Sequence, residues 1–127
     1  MTFPEEHYCF EERAERRIFV GAYEGETCVG LALWEREWHR YLYLSDLKVS
    51  RACRGRGVAS ALIEEGKRLA GALGLRGLYT IAQDNNLAAC RFYLKCGFEI
   101  GGFNSHVYRG TAQEGKADIY FYLELDK

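Results

Sequence analysis

Val49-Ser50-Arg51-Ala52-Cys53-Arg54-Gly55-Arg56-Gly57-Val58-Ala59 decides the fold, because its two flanks have different periods. Tyr41 to Val49 runs into it, alternates and reads as a strand, with Leu42, Leu44 and Asp46 expected on one face and Tyr43, Ser45, Leu47 and Val49 on the other. Val58 to Leu73 runs out of it as a helix, with apolar or small residues at Ala59, Leu62, Ile63, Gly66, Leu69, Ala70 and Leu73. Glu64, Glu65, Lys67 and Arg68 fill the other face, where Glu64 and Arg68 form an expected i, i+4 pair, and Gly74 suits the position after the cap. A strand that turns through glycines into a helix presents free backbone N–H groups and the positive end of a helix dipole, which together suit an anion, phosphate best.

Working outward, Ile18 to Tyr23 and Thr27 to Trp34 read as a hairpin about Glu24-Gly25. Leu78 to Ala82 is the strand that follows the helix, so the span is a βαβ unit, parallel and right-handed. Asp84, Asn85 and Asn86 offer N-caps for a second helix from about Leu87 to Lys95, with Leu87, Cys90, Arg91 and Leu94 on one stripe. Gly97 ends it and Phe98 supplies the contact after the cap. Phe98 to Tyr108 and Asp118 to Leu125 read as two antiparallel strands joined by the polar loop Gly110 to Lys116. The fold class is α/β: a mixed sheet covered by helices, in a single domain over residues 1–127 with a charged arm at 1–17.

Composition narrows the function. The chain has 127 residues, 48% hydrophobic and 28% charged, the balance of a soluble globular domain. A net charge of −1 gives no global basic field, which argues against nucleic acid. Arg51, Arg54 and Arg56 concentrate positive charge in the turn, which favours a small polyphosphate. Five cysteines form no CxxC pair and no Cys/His spacing fits zinc, so no metal is expected and the thiols read as reduced, in the cytoplasm. No signal-peptide pattern and no membrane-spanning run is expected.

Two common phosphate loops fit the turn worse. A P-loop needs Gly-Lys-Ser/Thr after its glycines, and none is present. A dinucleotide fingerprint needs a third small Gly or Ala, where Gly55-Arg56-Gly57-Val58-Ala59-Ser60 places Ser60. In the second helix Asn86 is placed to cap and to bind a ligand amide, while Tyr93 lies off the main stripe, either in a cleft or as a packing residue. Cys90 reads as a small buried hydrophobe rather than a nucleophile, and Cys53, among arginines, as oxidation-prone.

Arg54-x-x-Gly57-x-Ala59 after a strand, then Asn86 and Phe92-Tyr93-x-x-x-Gly97-Phe98, resemble the GNAT superfamily of N-acetyltransferases. Residues Gln83 to Phe103 and the tail Ile119 to Leu123 resemble its streptothricin acetyltransferase branch. The resemblance implies a splayed sheet and acetyl-CoA as donor, with pyrophosphate on Arg54, Gly55, Arg56, Gly57, Val58 and Ala59. It further implies pantetheine along Leu47, Lys48 and Val49, Asn86 on its flank, and Tyr93 facing the thioester sulfur as acid. Asp46 is the first choice of base for the attacking amine, with Glu35 and Glu37 as alternatives. The expected acceptor is a cationic small-molecule amine such as streptothricin; a protein or peptide amine, or an acetyl-CoA-binding module without catalysis, are the alternatives. Members usually carry a strand and one or two helices before the hairpin, walling the acceptor site, and the residues before Ile18 are too few for that set. The aromatic strand Ile119 to Leu123 offers a surface for pairing or packing in a homodimer.

Overall fold

A computed structural model describes residues 16–125. The expectations for the arm, including Cys9, lie outside these residues. The described chain runs β1 (Arg17–Glu24), β2 (Thr27–Arg36), β3 (Tyr41–Val49), α1 (Val58–Ala72), β4 (Gly77–Gln83), α2 (Leu87–Lys95), β5 (Glu99–Asn104) and β6 (Asp118–Glu124). Six strands form one sheet in the order β1-β2-β3-β4-β6-β5. Only β3 and β4 pair in parallel, as the α1 crossover between them requires.

One face of the sheet carries the core. Ile18, Val20, Ala32, Trp34, Leu42, Leu44, Leu78, Phe121 and Leu123 are buried there with Leu62, Ile63, Leu69 and Ala70 of α1. Gly66 lets α1 approach: a Cβ on it would stand 2.2 Å from Cζ2 of the fully buried Trp34. Val58 rather than Ala59 begins the buried stripe. Glu65 turns inward, 8% exposed, and accepts from Arg68 Nε at 3.0 Å, while Glu64 pairs with Lys67 at 2.8 Å. Arg68 therefore meets Glu65 at i, i+3 instead of the expected Glu64. Both helices end in Schellman caps: Leu75 N donates to Ala70 O at 2.8 Å around Gly74, and Phe98 N to Tyr93 O at 3.0 Å around Gly97.

Four further expectations are corrected. In β3 the alternation breaks at Ser45: Leu33 pairs with Asp46 but Trp34 with Leu44, so Ser45 is an extra residue, its Oγ donating to Leu33 O at 3.3 Å. The bulge rotates the strand, so Leu47 and Val49 join Leu42 and Leu44 at the core, and Asp46 moves to the face of Tyr43. In α2 the inward stripe is Ala89, Cys90, Phe92, Tyr93 and Cys96, so Cys90 packs inward as expected, but Leu87 and Leu94 are 59% and 49% exposed. β5 stops at Asn104, whose Oδ1 accepts from the N–H groups of His106 and Val107 at 3.1 Å each, an Asx turn that ends pairing. β6 lies between β4 and β5, so both its edges are occupied and it cannot add a strand from a second copy.

Candidate active site

β3 and β4 pair only from Tyr41/Gly77 to Leu44/Thr80 and then separate. At the vertex the Thr80 hydroxyl, 2% exposed, donates to Leu44 O at 2.8 Å. Beyond it, β3 stays paired to β2 as far as Gly30/Val49 while its other edge faces an opening. The opening is a cleft of about 850 Å³. Leu47, Lys48 and Val49 line one side, Thr80 and Ile81 the other, and Ala88, Ala89, Phe92 and Tyr93 of α2 close the helix side. Tyr43 and Asp46 line it from the opposite face, so the cleft passes through the sheet.

The turn stands at the helix-side end. Arg51–Cys53 makes one 3₁₀ turn, then Gly55 and Gly57 take φ of +81° and +83°, and Gly57 is the N-cap of α1. Such φ values strain any residue with a Cβ. The N–H groups of Arg54 and Arg56 are used inside the turn, on Arg51 O and Cys53 O, both at 3.3 Å. Those of Gly55, Gly57, Val58, Ala59 and Ser60 meet no acceptor among the described residues. Of the N–H groups expected to face an anion, Arg54 to Ala59, two are spent inside the turn, and that of Ser60 is free beside the remaining four. Arg54 lines the cleft, whereas Arg56 is drawn aside to Glu24 at 2.6 Å. A second cavity of about 410 Å³ adjoins the turn, shares Val49, Arg54, Ala59 and Phe92 with the first, and ends at Lys95. Cys53 is 4% exposed beneath the turn, which shields it from the oxidants its neighbours suggested.

Asn86 caps α2, its Oδ1 accepting from Ala89 N at 3.1 Å, and lines the cleft. Tyr93 is 8% exposed among Phe92, Phe98 and Phe121, with ring centroids 5.5, 5.4 and 5.5 Å away. It is thus both a core residue and a cleft residue. Burial pushes its phenol above the ordinary value, and the adjacent Thr80 hydroxyl pulls it part of the way back. Burial also pushes the Cys90 and Cys96 thiols up, which disfavours thiolates and a covalent route. Asp46 lies 3.6 Å from Lys48, both well exposed. Glu35 is the register partner of Tyr43 on the same face as Asp46. Ala88, Ala89, Thr80 and Lys95 were not singled out from the sequence, and Phe92 entered only as part of the family motif; the i, i+3, i+4 spacing of Ala88, Ala89, Phe92 and Lys95 was the available signal.

This arrangement can hold an elongated anionic ligand: donors at a helix N-terminus, an unpaired strand edge, and a buried phenol at the vertex. The model of the Acetyltransferase (GNAT) family matches residues 1–98. Streptothricin acetyltransferase of Escherichia coli is 34% identical over 113 residues, covering 88% of this chain and 65% of the relative. Streptothricin acetyltransferase A of Bacillus subtilis (strain 168) is 29% identical over 103 residues, with 81% and 60% covered. The chain thus spans less than two thirds of the length of these curated relatives. A structure described as a streptothricin acetyltransferase from Bacillus anthracis, in complex with acetyl coenzyme A, superposes with a TM-score of 0.83 at 36% identity, covering 87% of this chain and 64% of that one. Nourseothricin acetyltransferase superposes at 0.79 with 26% identity, covering 87% and 66%. With the family model matching 98 of its 127 residues, and with a splayed β3/β4 pair that meets a glycine turn at the N-terminus of α1, this chain belongs to the GNAT family of acetyltransferases.

Proposed function

We propose that the chain is an acetyl-CoA-dependent N-acetyltransferase whose acceptor is a primary amine on a cationic small molecule, streptothricin being the first candidate. The observation that carries this is the cleft through the sheet, with orphan N–H donors at its helix-side end and the Asp46 carboxylate at its other mouth. The fit to acetyl-CoA rests on three features. Five free N–H groups from Gly55 to Ser60 suit a pyrophosphate. The edge at Leu47 to Val49, which pairs with no described strand although Val49 O accepts from Arg54 Nε at 3.4 Å, suits the amide-bearing pantetheine, as an added strand would. The adjoining cavity, with Arg54 and Lys95, suits a nucleotide phosphate.

When bound, acetyl-CoA supplies an activated thioester; the chain's residues position it and move protons. Leu47 to Val49 and Asn86 would hold the pantetheine arm, and the N–H groups of Gly55 and Gly57 to Ser60, with Arg54, would hold the phosphates. The acceptor amine attacks as its free base, so its proton passes to Asp46, or to Glu35, on the face opposite the helices. A C–N bond forms, the C–S bond breaks, and Tyr93 gives its phenolic proton to the departing sulfur. Burial keeps Tyr93 protonated, the state a donor needs. Four described cysteines, Cys28, Cys53, Cys90 and Cys96, are free thiols, which suits a reducing cytoplasm.

The test is CoA release with streptothricin, polyamines and peptides as acceptors, each against a control without acceptor. Turnover with streptothricin or another small cationic amine supports the reading. Turnover with peptides alone replaces the acceptor class. Tight acetyl-CoA binding with no turnover across the panel leaves a non-catalytic binding module, and absence of acetyl-CoA binding ends the reading altogether.

A further inference from the structure

Thr80 is a hydroxyl in an apolar place. Leu78 and Ala82, two residues away on either side of β4 and on the same face, are core residues, so a valine would suit the packing at position 80. Its side chain is nonetheless polar, only 2% exposed, and part of the cleft wall. Burying a hydroxyl costs free energy unless it is bonded. Its hydrogen goes to Leu44 O at 2.8 Å, across the last pair before β3 and β4 separate. A hydroxyl has one hydrogen and two lone pairs, so the bond to Leu44 leaves its acceptor side open.

Tyr93 stands on that side. Register pairs Thr80 with Phe121, and the Tyr93 ring packs on Phe121 with centroids 5.5 Å apart, so hydroxyl and phenol converge on one rung of the sheet. Both line the cleft. The titratable groups that act on the phenol are Cys90 and Cys96 of its own helix, and both push it up, as burial does. β6 faces it with the Phe121 ring and β4 with Thr80, neither of them charged. Among these neighbours only the Thr80 hydroxyl draws the phenol back down, the direction that makes a better proton donor.

We propose that Thr80 is a positioning residue for the transfer: it holds the Tyr93 oxygen at the vertex and turns its own hydrogen onto that oxygen as the phenol proton leaves. At rest the Thr80 hydrogen lies on Leu44 O and its lone pairs face the phenol O–H. When Tyr93 gives its proton to the departing sulfur, the Thr80 hydrogen rotates from Leu44 O to the new phenolate. A proton from solvent in the cleft then restores the phenol, and the Thr80 hydrogen returns to Leu44. No bond is made or broken at Thr80. This inference rests on the reading of Tyr93 as the acid of an acetyltransferase.

Two measurements on the whole chain test it. The first needs neither acetyl-CoA nor amine: NMR of tyrosines labelled with carbon-13 at Cζ, with the Tyr93 signal identified by its loss in Tyr93→Phe. In alkali above the ordinary phenol value of about 10, Tyr93 should be less ionised in Thr80→Val than in the parent, and Thr80→Ser should match the parent. Equal ionisation in Thr80→Val and the parent overturns the proposal. The second is a double-mutant cycle on kcat. Thr80→Val should lower kcat about tenfold, the worth of a hydrogen bond to a charged group, with acetyl-CoA affinity within about threefold, and Thr80→Ser should recover it. In a Tyr93→Phe background Thr80→Val should cost no further rate, since nothing is left for it to position. Losses that multiply would mean that Thr80 acts through the structure of the seam, and overturn the proposal. Should Thr80→Val fail to fold, Thr80→Ala, which also lacks the hydroxyl, takes its place in both measurements. A parent chain that acetylates no amine ends the acetyltransferase reading itself and this inference with it; a parent that turns over while the losses multiply ends the inference alone.

Discussion

Tyr93→Phe removes one oxygen from a ring whose surroundings are otherwise fixed. Phe92, Phe98 and Phe121 pack around it and only 8% of its surface is exposed, so the variant ring has the same hole to fill. Thr80 keeps its own bond to Leu44 O, so no buried hydroxyl is left without a partner. The stability change should stay within about 1 kcal/mol, the net worth of one hydrogen bond. The catalytic change should be larger. An ordinary phenol near 10 protonating a thiolate near 8.5 works uphill by about 1.5 units, or about 2 kcal/mol. Burial raises the Tyr93 phenol beyond that, and the same dry surroundings raise the departing thiol as well. A donor working uphill belongs at the lower end of the 10²–10⁴ range for general acids, so kcat should fall about 10²-fold. The assay is thiol release at saturating amine, with acetyl-CoA affinity measured separately and expected to change less than about threefold, less than the few-fold worth of one lost hydrogen bond. The parent kcat should hold up to pH 10, because a raised phenol remains a donor there. A variant with kcat within threefold of the parent refutes the assignment of Tyr93 as acid.

Gly57→Glu should abolish acetyl-CoA binding: it strains a φ of +83° and sets a carboxylate among the free N–H groups, whereas Arg56→Ala, which loses a side chain already paired with Glu24, should weaken binding only about threefold, the worth of one exposed charge; calorimetry separates the two. Gly66→Ala should cost about 2 kcal/mol, about 3 of overpacking against the rigid Trp34 indole less about 1 regained in helix propensity, read as a fall of about 6 °C in Tm. Tyr41 has its phenol raised to about 12, by burial first and then by its hydrogen bond to Glu124. The stability this bond contributes is complete below the unfolded value near 10 and is lost as pH rises from 10 through 12; denaturant midpoints should fall more steeply over that window than in Tyr41→Phe, and parallel curves would contradict the assignment.

The path from β3 through the turn into α1 was legible because two periods meet at glycines that only a left-handed backbone explains. The Schellman ends were legible for the same reason, at Gly74 and Gly97. The bulge at Ser45 was not, since a serine in an alternating strand gives no sign that it is the extra residue; only the partner strand defines the count. That single slip moved Asp46 away from Leu44 and brought it to the face of Tyr43. The α2 stripe was misassigned because nine residues fit two stripes almost equally well, and the choice was made by Phe121 beneath Tyr93. The row of Tyr43, Tyr79 and Tyr122 on the face opposite the helices escaped because register between β3, β4 and β6 is a tertiary fact. Of the expected site, Asn86, Tyr93, Arg54, Ala59 and Leu47 to Val49 do come together around one cleft.

The short seam between β3 and β4 has a mechanical consequence. Four residue pairs, the Thr80 latch and, at the far end, the Tyr41–Glu124 and Arg76 N–Arg40 O hydrogen bonds are the rungs seen among the described residues between two ribbons, β1-β2-β3 on one side and β4-β6-β5 on the other. Helix α1 spans the seam, touching β1 and β2 as well as β3 and β4. The sheet is therefore built like a hinged book with α1 as its spine. Amides of the seam should exchange with solvent sooner than those inside either ribbon, and a ligand lying along the open edge of β3 should slow that exchange by clasping the two covers together.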